Sequence, residues 1–178
     1  MSLLHTCRIA ALALAAAVSL VLAPSAYAID TGFQYQLNPQ HNFGKCLDIA
    51  DGSTANSAHL IQFDCHNQSN QRFRFKRILN NVYEIRAVHS NKCLDVADAS
   101  NANGAHVNQF TCHGQANQRF RLLRDSNRPG FSSSPIVAVH SNKCLDVADA
   151  SNANGAHVIQ FTCHGQLNQR IDGPAFAQ

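Results

Sequence analysis

The sequence predicts an all-β fold in which three repeated units close on one another as a pseudo-threefold barrel. Three observations carry this. A 29-residue segment occurs three times in the chain of 178 residues. Each copy holds two cysteines at one spacing, and short apolar runs alternate with clusters of Asn, Ser, Gly and Asp suited to turns. The copies are KCLDIADGSTANSAHLIQFDCHNQSNQRF from Lys45, KCLDVADASNANGAHVNQFTCHGQANQRF from Lys92 and KCLDVADASNANGAHVIQFTCHGQLNQRI from Lys143, at offsets of 47 and 51 residues. The last two differ at three positions only, Asn108/Ile159, Ala116/Leu167 and Phe120/Ile171, which marks duplication within the chain. One such unit buries little surface alone, so three must close on each other and leave few exposed edges.

Residues 1–28 stand outside this pattern. Arg8 precedes an Ala- and Leu-rich apolar stretch, Ile9 to Ala23, which Pro24 breaks, and Ala26-Tyr27-Ala28 follows as a small-x-small cleavage site. This reads as a secretory signal peptide cleaved after Ala28, too short for a membrane span and followed by no second apolar stretch. The expected domain is then 29–178, with repeats at about 33–80, 81–130 and 131–178, in a secreted, extracellular protein. Cleavage removes Cys7 and leaves six cysteines, an even number. Cys46/Cys65, Cys93/Cys112 and Cys144/Cys163 are each 19 positions apart, so one disulfide within each repeat is the simplest pairing. Closing such a loop stabilises a unit by about 3 kcal/mol on the chain-entropy model. The adjacent His66, His113 and His164 lack zinc-ligand spacing, which disfavours a metal there.

Within a unit, strands are expected at Cys46–Ala50 and His59–Cys65, with a turn-rich connection at Asp51–Asn56 between them. Asn70-Gln71-Arg72 leads into Phe73–Arg77, whose alternating apolar and basic residues suit a half-exposed strand. Further strands fit Phe33–Leu37, Val82–Val88 and Ile136–His140, for about four per unit and about twelve in all. Pro174 cannot donate to a ladder, so the last strand should be short or frayed.

Composition excludes several functions. Hydrophobic residues make up 45% and charged residues 14%, which suits a packed domain and not a disordered chain. The formal charge of +3 is spread over 14 basic and 11 acidic residues without a run of either sign, which argues against nucleic acid as partner. Glu84 is the sole glutamate, and neither a Gly-x-Ser-x-Gly elbow nor a phosphate loop occurs. No enzyme, cofactor or metal is expected. The run Asp98 to Gly104 has the look of a calcium loop, but its oxygen ligands fail at Ala102 and the distal Glu is missing, so it reads as a surface turn. His59, His106 and His157 occupy equivalent positions with no convergent acid or nucleophile and read as a by-product of the repeat.

The triplicated Cys-Leu-Asp, Gln-Phe-x-Cys and Asn-Gln-x-Phe motifs resemble those of the ricin B-type lectins, a carbohydrate-binding module family marked by a Gln-x-Trp triple repeat. The resemblance covers residues 33 to about 172. It implies a β-trefoil, sugar binding in shallow pockets with up to one per repeat, and no metal or cofactor. By that resemblance Asp48, Asp95 and Asp146 accept sugar hydroxyls. Phe63, Phe110 and Phe161 stack on the sugar, and Asn70, Gln71, Asn117, Gln118, Asn168 and Gln169 supply amides. The chemistry agrees: an ionised carboxylate takes charge-assisted hydroxyl bonds, and a ring offers rigid apolar area to the C–H face of a sugar.

The sequence departs from the family in two ways. Phe replaces the usual Trp or Tyr. The family's ligand-bonding Gln, two residues before the aromatic, is Ile61, Asn108 or Ile159 here, with a Gln displaced by one to Gln62, Gln109 and Gln160 on the opposite strand face. The middle site, Asp95, Asn108, Phe110, Asn117 and Gln118, therefore ranks first. Galactosides and xylan-type polysaccharides are the ligands the resemblance allows. The alternatives are a protein-binding trefoil, such as a secreted protease inhibitor acting through the Arg124–Ser134 loop, and a targeting module serving a separate enzyme or toxin chain.

Overall fold

The computed structural model describes residues 32–123 and 133–173. Residues 1–28, most of the Arg124–Ser134 loop, and Pro174 lie outside the described residues. The first repeat contributes β1 (Asn38–Pro39), β2 (Lys45–Ile49), β3 (Leu60–Asp64) and β4 (Phe73–Leu79). The second contributes β5 (Val82–Ala87), β6 (Cys93–Val96), β7 (Val107–Phe110) and β8 (Phe120–Leu122). The third contributes β9 (Ser133–Ser134), β10 (Ile136–Ala138), β11 (Cys144–Val147), β12 (Val158–Phe161) and β13 (Ile171–Asp172). The architecture is an all-β trefoil with a disulfide in each repeat, Cys46–Cys65, Cys93–Cys112 and Cys144–Cys163.

Three hairpins, β2–β3, β6–β7 and β11–β12, share one register. Cys46, Cys93 and Cys144 face Phe63, Phe110 and Phe161 across the pair, and Asp48, Asp95 and Asp146 face Ile61, Asn108 and Ile159. Alternation along β2 sends Leu47 and Ile49 into the core and leaves Cys46 and Asp48 on the other face. Leu94, Val96, Leu145 and Val147 repeat this, and Leu60, Val107 and Val158 complete each hairpin's apolar side. Phe73, Phe120 and Ile171, the residues after Asn-Gln-Arg, are buried in the same core. The remaining strands form the barrel wall: β4 pairs β5, β5 pairs β8, β8 pairs β10, and β13 bridges β1 and β9.

Two expectations need correction. Phe33–Leu37 is not a strand: Tyr35 makes a single bridge to Phe73, Phe33 is exposed, and the first strand is Asn38–Pro39. Leu37 is the reason, because its carbonyl already accepts the Leu47 N–H at 2.7 Å, so the chain leaves β4 for β2 within two residues. The Ile136–His140 strand stops at Ala138 because Val139 and His140 turn. The short last strand was expected, and its two residues do close the barrel. Asp172 and Ile171 pair with β1 on one side and β9 on the other, and Gln40 Nε2 donates to Asp172 Oδ1 at 3.1 Å.

The repeats are clasped in a cycle. Gln62, Gln109 and Gln160, all fully buried, each donate to two carbonyls in the turn of another repeat: Ser151 and Ala153, Ser53 and Ala55, Ser100 and Ala102. His41, His89 and His140 reach the same three serine carbonyls. The displaced glutamines are thus structural; the turn carbonyls of another repeat satisfy amide groups that burial would otherwise leave unpaired.

Candidate functional site

Each hairpin carries the same polar cluster on its outer side. In the first repeat Asp48 accepts from Asn70 Nδ2 at 2.9 Å and Gln71 Nε2 at 2.8 Å, with His66 Nε2 at 3.1 Å. In the second, Asp95 Oδ2 takes Asn117 at 3.0 Å and Gln118 at 2.9 Å, with His113 Nε2 at 3.3 Å. In the third, Asp146 takes Asn168 at 2.9 Å and Gln169 at 2.7 Å, with His164 at 3.1 Å. A short 3₁₀ turn at Ser69–Gln71, Ala116–Gln118 or Leu167–Gln169 presents the Asn and Gln side by side.

The two amides differ in role. Gln71, Gln118 and Gln169 are fully buried and saturated: each Nε2 also donates to a backbone carbonyl, of Asp64, Thr111 or Thr162, and each Oε1 accepts the backbone N–H of the cleft histidine. Their polar atoms are thus already engaged by the aspartate and the backbone. Asn70, Asn117 and Asn168 donate to the aspartate and to the carbonyls of Ile49, Val96 and Val147. The carbonyl oxygens of Asn117 and Asn168 accept no bond from the described residues. Asp95 is arranged similarly, since its three donors all meet Oδ2. Burial pushes the carboxyls of Asp48 and Asp95 above the ordinary aspartate value, against the opposing pull of Gln71 and Gln118 and of the neighbouring His and Asn.

The phenylalanines are not core residues. Phe63 and Phe161 are each 38% exposed and Phe110 is half-buried, although each faces a buried cysteine across its hairpin. Each ring meets its repeat's histidine edge-on, with centroids 6.1 Å apart for Phe63–His66, 6.2 Å for Phe110–His113 and 6.2 Å for Phe161–His164. In the first repeat an open cleft brings together Asp48, Asn70, Phe63, Ile61 and His66, with Asp51 at its edge. Gln71 does not line it.

The clusters also take in residues to which the sequence assigns no binding role. The sequence offers His66, His113 and His164 only as metal ligands; their recurrence one residue after the second cysteine is the available signal. Asp51, Asp98 and Asp149 were read as turn residues. All three sit in the left-handed region at φ 57°, an uncommon conformation for a residue other than glycine, and Asp51 flanks the first cleft.

The fold that carries these clefts recurs in known proteins. The chain is similar to a designed threefold-symmetric protein, ThreeFoil, with 37% identity and a TM-score of 0.74 over 80% of this chain and 99% of that one. It is also similar to part of an exo-β-1,3-galactanase from Clostridium thermocellum, with 28% identity and a TM-score of 0.75 over 83% of this chain but 31% of the enzyme. The Rhizoctonia solani agglutinin shares the fold at 21% identity and a TM-score of 0.68, over 79% of this chain and 92% of its own. No curated protein matches the chain. A match to a lectin-type family model supports a carbohydrate-binding role. The family model for ricin-type β-trefoil lectin domain-like proteins matches residues 26–110 and 69–161, well over half of the chain. With the triplicated motifs and the trefoil that they build, this match makes the chain a member of that family.

Proposed function

We propose that this protein is a secreted, non-catalytic lectin that binds galactosides or xylan-type polysaccharide in three shallow clefts, one per repeat. One observation carries the reading: the same preorganised carboxylate, oriented by Asn, Gln and His, lies beside an accessible Phe ring in every repeat. The ring offers apolar area to a sugar's C–H face, the aspartate accepts adjacent hydroxyls, and Asn and His supply further polar atoms. Asp48, Asp95 and Asp146, Phe63, Phe110 and Phe161, and Asn70, Asn117 and Asn168 are the proposed contacts. Gln71, Gln118 and Gln169 act one step back as supports. The middle cleft ranks first because Asn108 stands opposite Asp95 where its counterparts are Ile61 and Ile159. Each single cleft binds weakly, and three on one scaffold gain by avidity on multivalent glycans.

The test is binding of the purified chain to an array of plant and microbial glycans beside the Phe63→Ala, Phe110→Ala and Phe161→Ala variants. These substitutions leave the buried aspartate cluster in place, and the thermal midpoint of each variant separates a lost sugar contact from lost folding. We expect galactoside or xylan binding that falls at least tenfold for Phe110→Ala and less for the other two. Equal losses would overturn the ranking, and undiminished binding in the triple Phe variant would overturn the sites. Sequencing the N-terminus of the exported protein tests cleavage after Ala28 and the 29–178 domain.

A further inference from the structure

The nine described histidines fall into three sets of three. One set clasps neighbouring turns and one lines the clefts. The third, His59, His106 and His157, is used by neither. Each of these residues immediately precedes a hairpin strand, β3, β7 or β12, and those strands meet at the pseudo-threefold axis. Bridges His59↔Asn108, His106↔Ile159 and His157↔Ile61 link the repeats in a closed ring. Backbone bonds from Gln109 to Ala58, Gln160 to Ala105 and Gln62 to Ala156 reinforce it. Residues 47 and 51 positions apart along the chain are thereby brought into mutual contact. The ring centroids lie 4.9, 4.9 and 4.7 Å apart, and one nitrogen from each ring falls within 4.8 Å of the other two.

We propose that His59, His106 and His157 form a transition-metal site that takes one Zn²⁺ or Cu²⁺ ion through three imidazole nitrogens on the pseudo-threefold axis. Ligand type favours these ions, because neutral imidazole is a borderline donor and affinity at nitrogen sites rises toward Cu²⁺ and remains high for Zn²⁺. Geometry permits it: metal–nitrogen bonds of about 2.0–2.1 Å in a tetrahedral site set the nitrogens about 3.4 Å apart, which small side-chain rotations reach from 4.8 Å. None of the three residues is fully buried, so a fourth position faces solvent, as in open three-histidine zinc sites. One observation favours a bound cation over simple ring packing. His157 Nδ1 is buried without a hydrogen-bond partner among the described residues. A metal here would pin all three repeats together at the one point where they converge.

The test is calorimetric titration of ZnCl₂ into the metal-stripped, disulfide-intact chain, beside the His59→Asn/His106→Asn/His157→Asn variant. We expect one ion per chain with micromolar or tighter affinity, weakened at least a hundredfold in the variant, and a thermal midpoint that zinc raises only in the parent. Absence of binding at a hundredfold molar excess of zinc would overturn the proposal, as would unchanged binding by the variant. Should the variant fold poorly, electron paramagnetic resonance of the parent loaded with one equivalent of Cu²⁺ decides instead. Hyperfine splitting from three imidazole nitrogens supports the site, and fewer nitrogens, or a signal lost when His66, His113 and His164 are replaced, refutes it.

Discussion

Asp48, Asp95 and Asp146 each face three protein donors, so removing one carboxylate strands those donors as well as any ligand. Asp95→Ala should therefore abolish binding at the middle cleft and also destabilise the fold by about 2–3 kcal/mol, read by urea denaturation. The pH dependence has a definite sign. Burial raises the folded-state value of Asp48 and Asp95, so their contribution to stability is full below the ordinary aspartate value and is lost as pH rises through the raised one. The stability penalty of Asp95→Asn should accordingly be smaller at pH 7 than at pH 4. Sugar binding runs the other way: it uses the ionised carboxylate and should weaken on acidification before an ordinary aspartate would protonate. A profile flat from pH 7 to below the ordinary aspartate value would exclude Asp95 as the hydroxyl acceptor. A residue away from the clefts gives a cleaner stability measurement. Ser141 Oγ donates to the buried Gln160 Oε1 at 2.7 Å, and Ser141→Ala should cost about 1–2 kcal/mol without changing glycan binding.

At the level of the element, the turn after each Cys-Leu-Asp strand is the strained piece. Asp51-Gly52 enters the left-handed region with glycine second, at φ 58°, whereas Ala99 and Ala150 stand there at 49° and 46°. A side chain in that region costs about 1–2 kcal/mol, which glycine avoids at some entropic expense. Ala99→Gly and Ala150→Gly should each raise stability by about 1 kcal/mol, and Gly52→Ala should lower it by a similar amount. Calorimetric melting of the three single variants checks the set. The last strand gives the opposite lesson: a Cβ at Gly173 would lie 2.9 Å from Leu37 Cδ2, so Gly173→Ala should loosen the β1–β13 closure. The disulfides act on the same hairpins, and each closes a loop of 19 residues within one repeat.

For the whole molecule, the clasps run from each repeat to another, so the serine carbonyl of each turn is held from a different repeat. Gln109 and His89 of the second repeat hold Ser53 of the first, Gln160 and His140 of the third hold Ser100 of the second, and Gln62 and His41 close the ring onto Ser151. Unfolding should accordingly be cooperative across all three units. A peptide covering 81–130 alone, even with Cys93–Cys112 formed, should show no dispersed amide spectrum; a folded spectrum would disprove the interdependence.

The sequence by itself determined the repeat number, the disulfide pairing, the all-β class and the aspartate, phenylalanine and asparagine of each cluster. Spacing and strand alternation expose the repeats, the pairing and the class directly, because these are local or duplicated features, whereas the cluster residues are named by the resemblance to the ricin B-type lectins. Tertiary structure decided the rest, because it depends on which repeat lies against which. Alternation could put Gln62, Gln109 and Gln160 on the face away from the rings, but not onto carbonyls tens of residues away. It left open whether Phe63, Phe110 and Phe161 were core or surface, since a buried cysteine and an accessible ring share that strand face. It could not see that His66 joins Asp48, or that three histidines some fifty residues apart meet at one axis. Spacing along a chain orders neighbours within a hairpin, and only the closing of three hairpins about a common axis brings equivalent residues together.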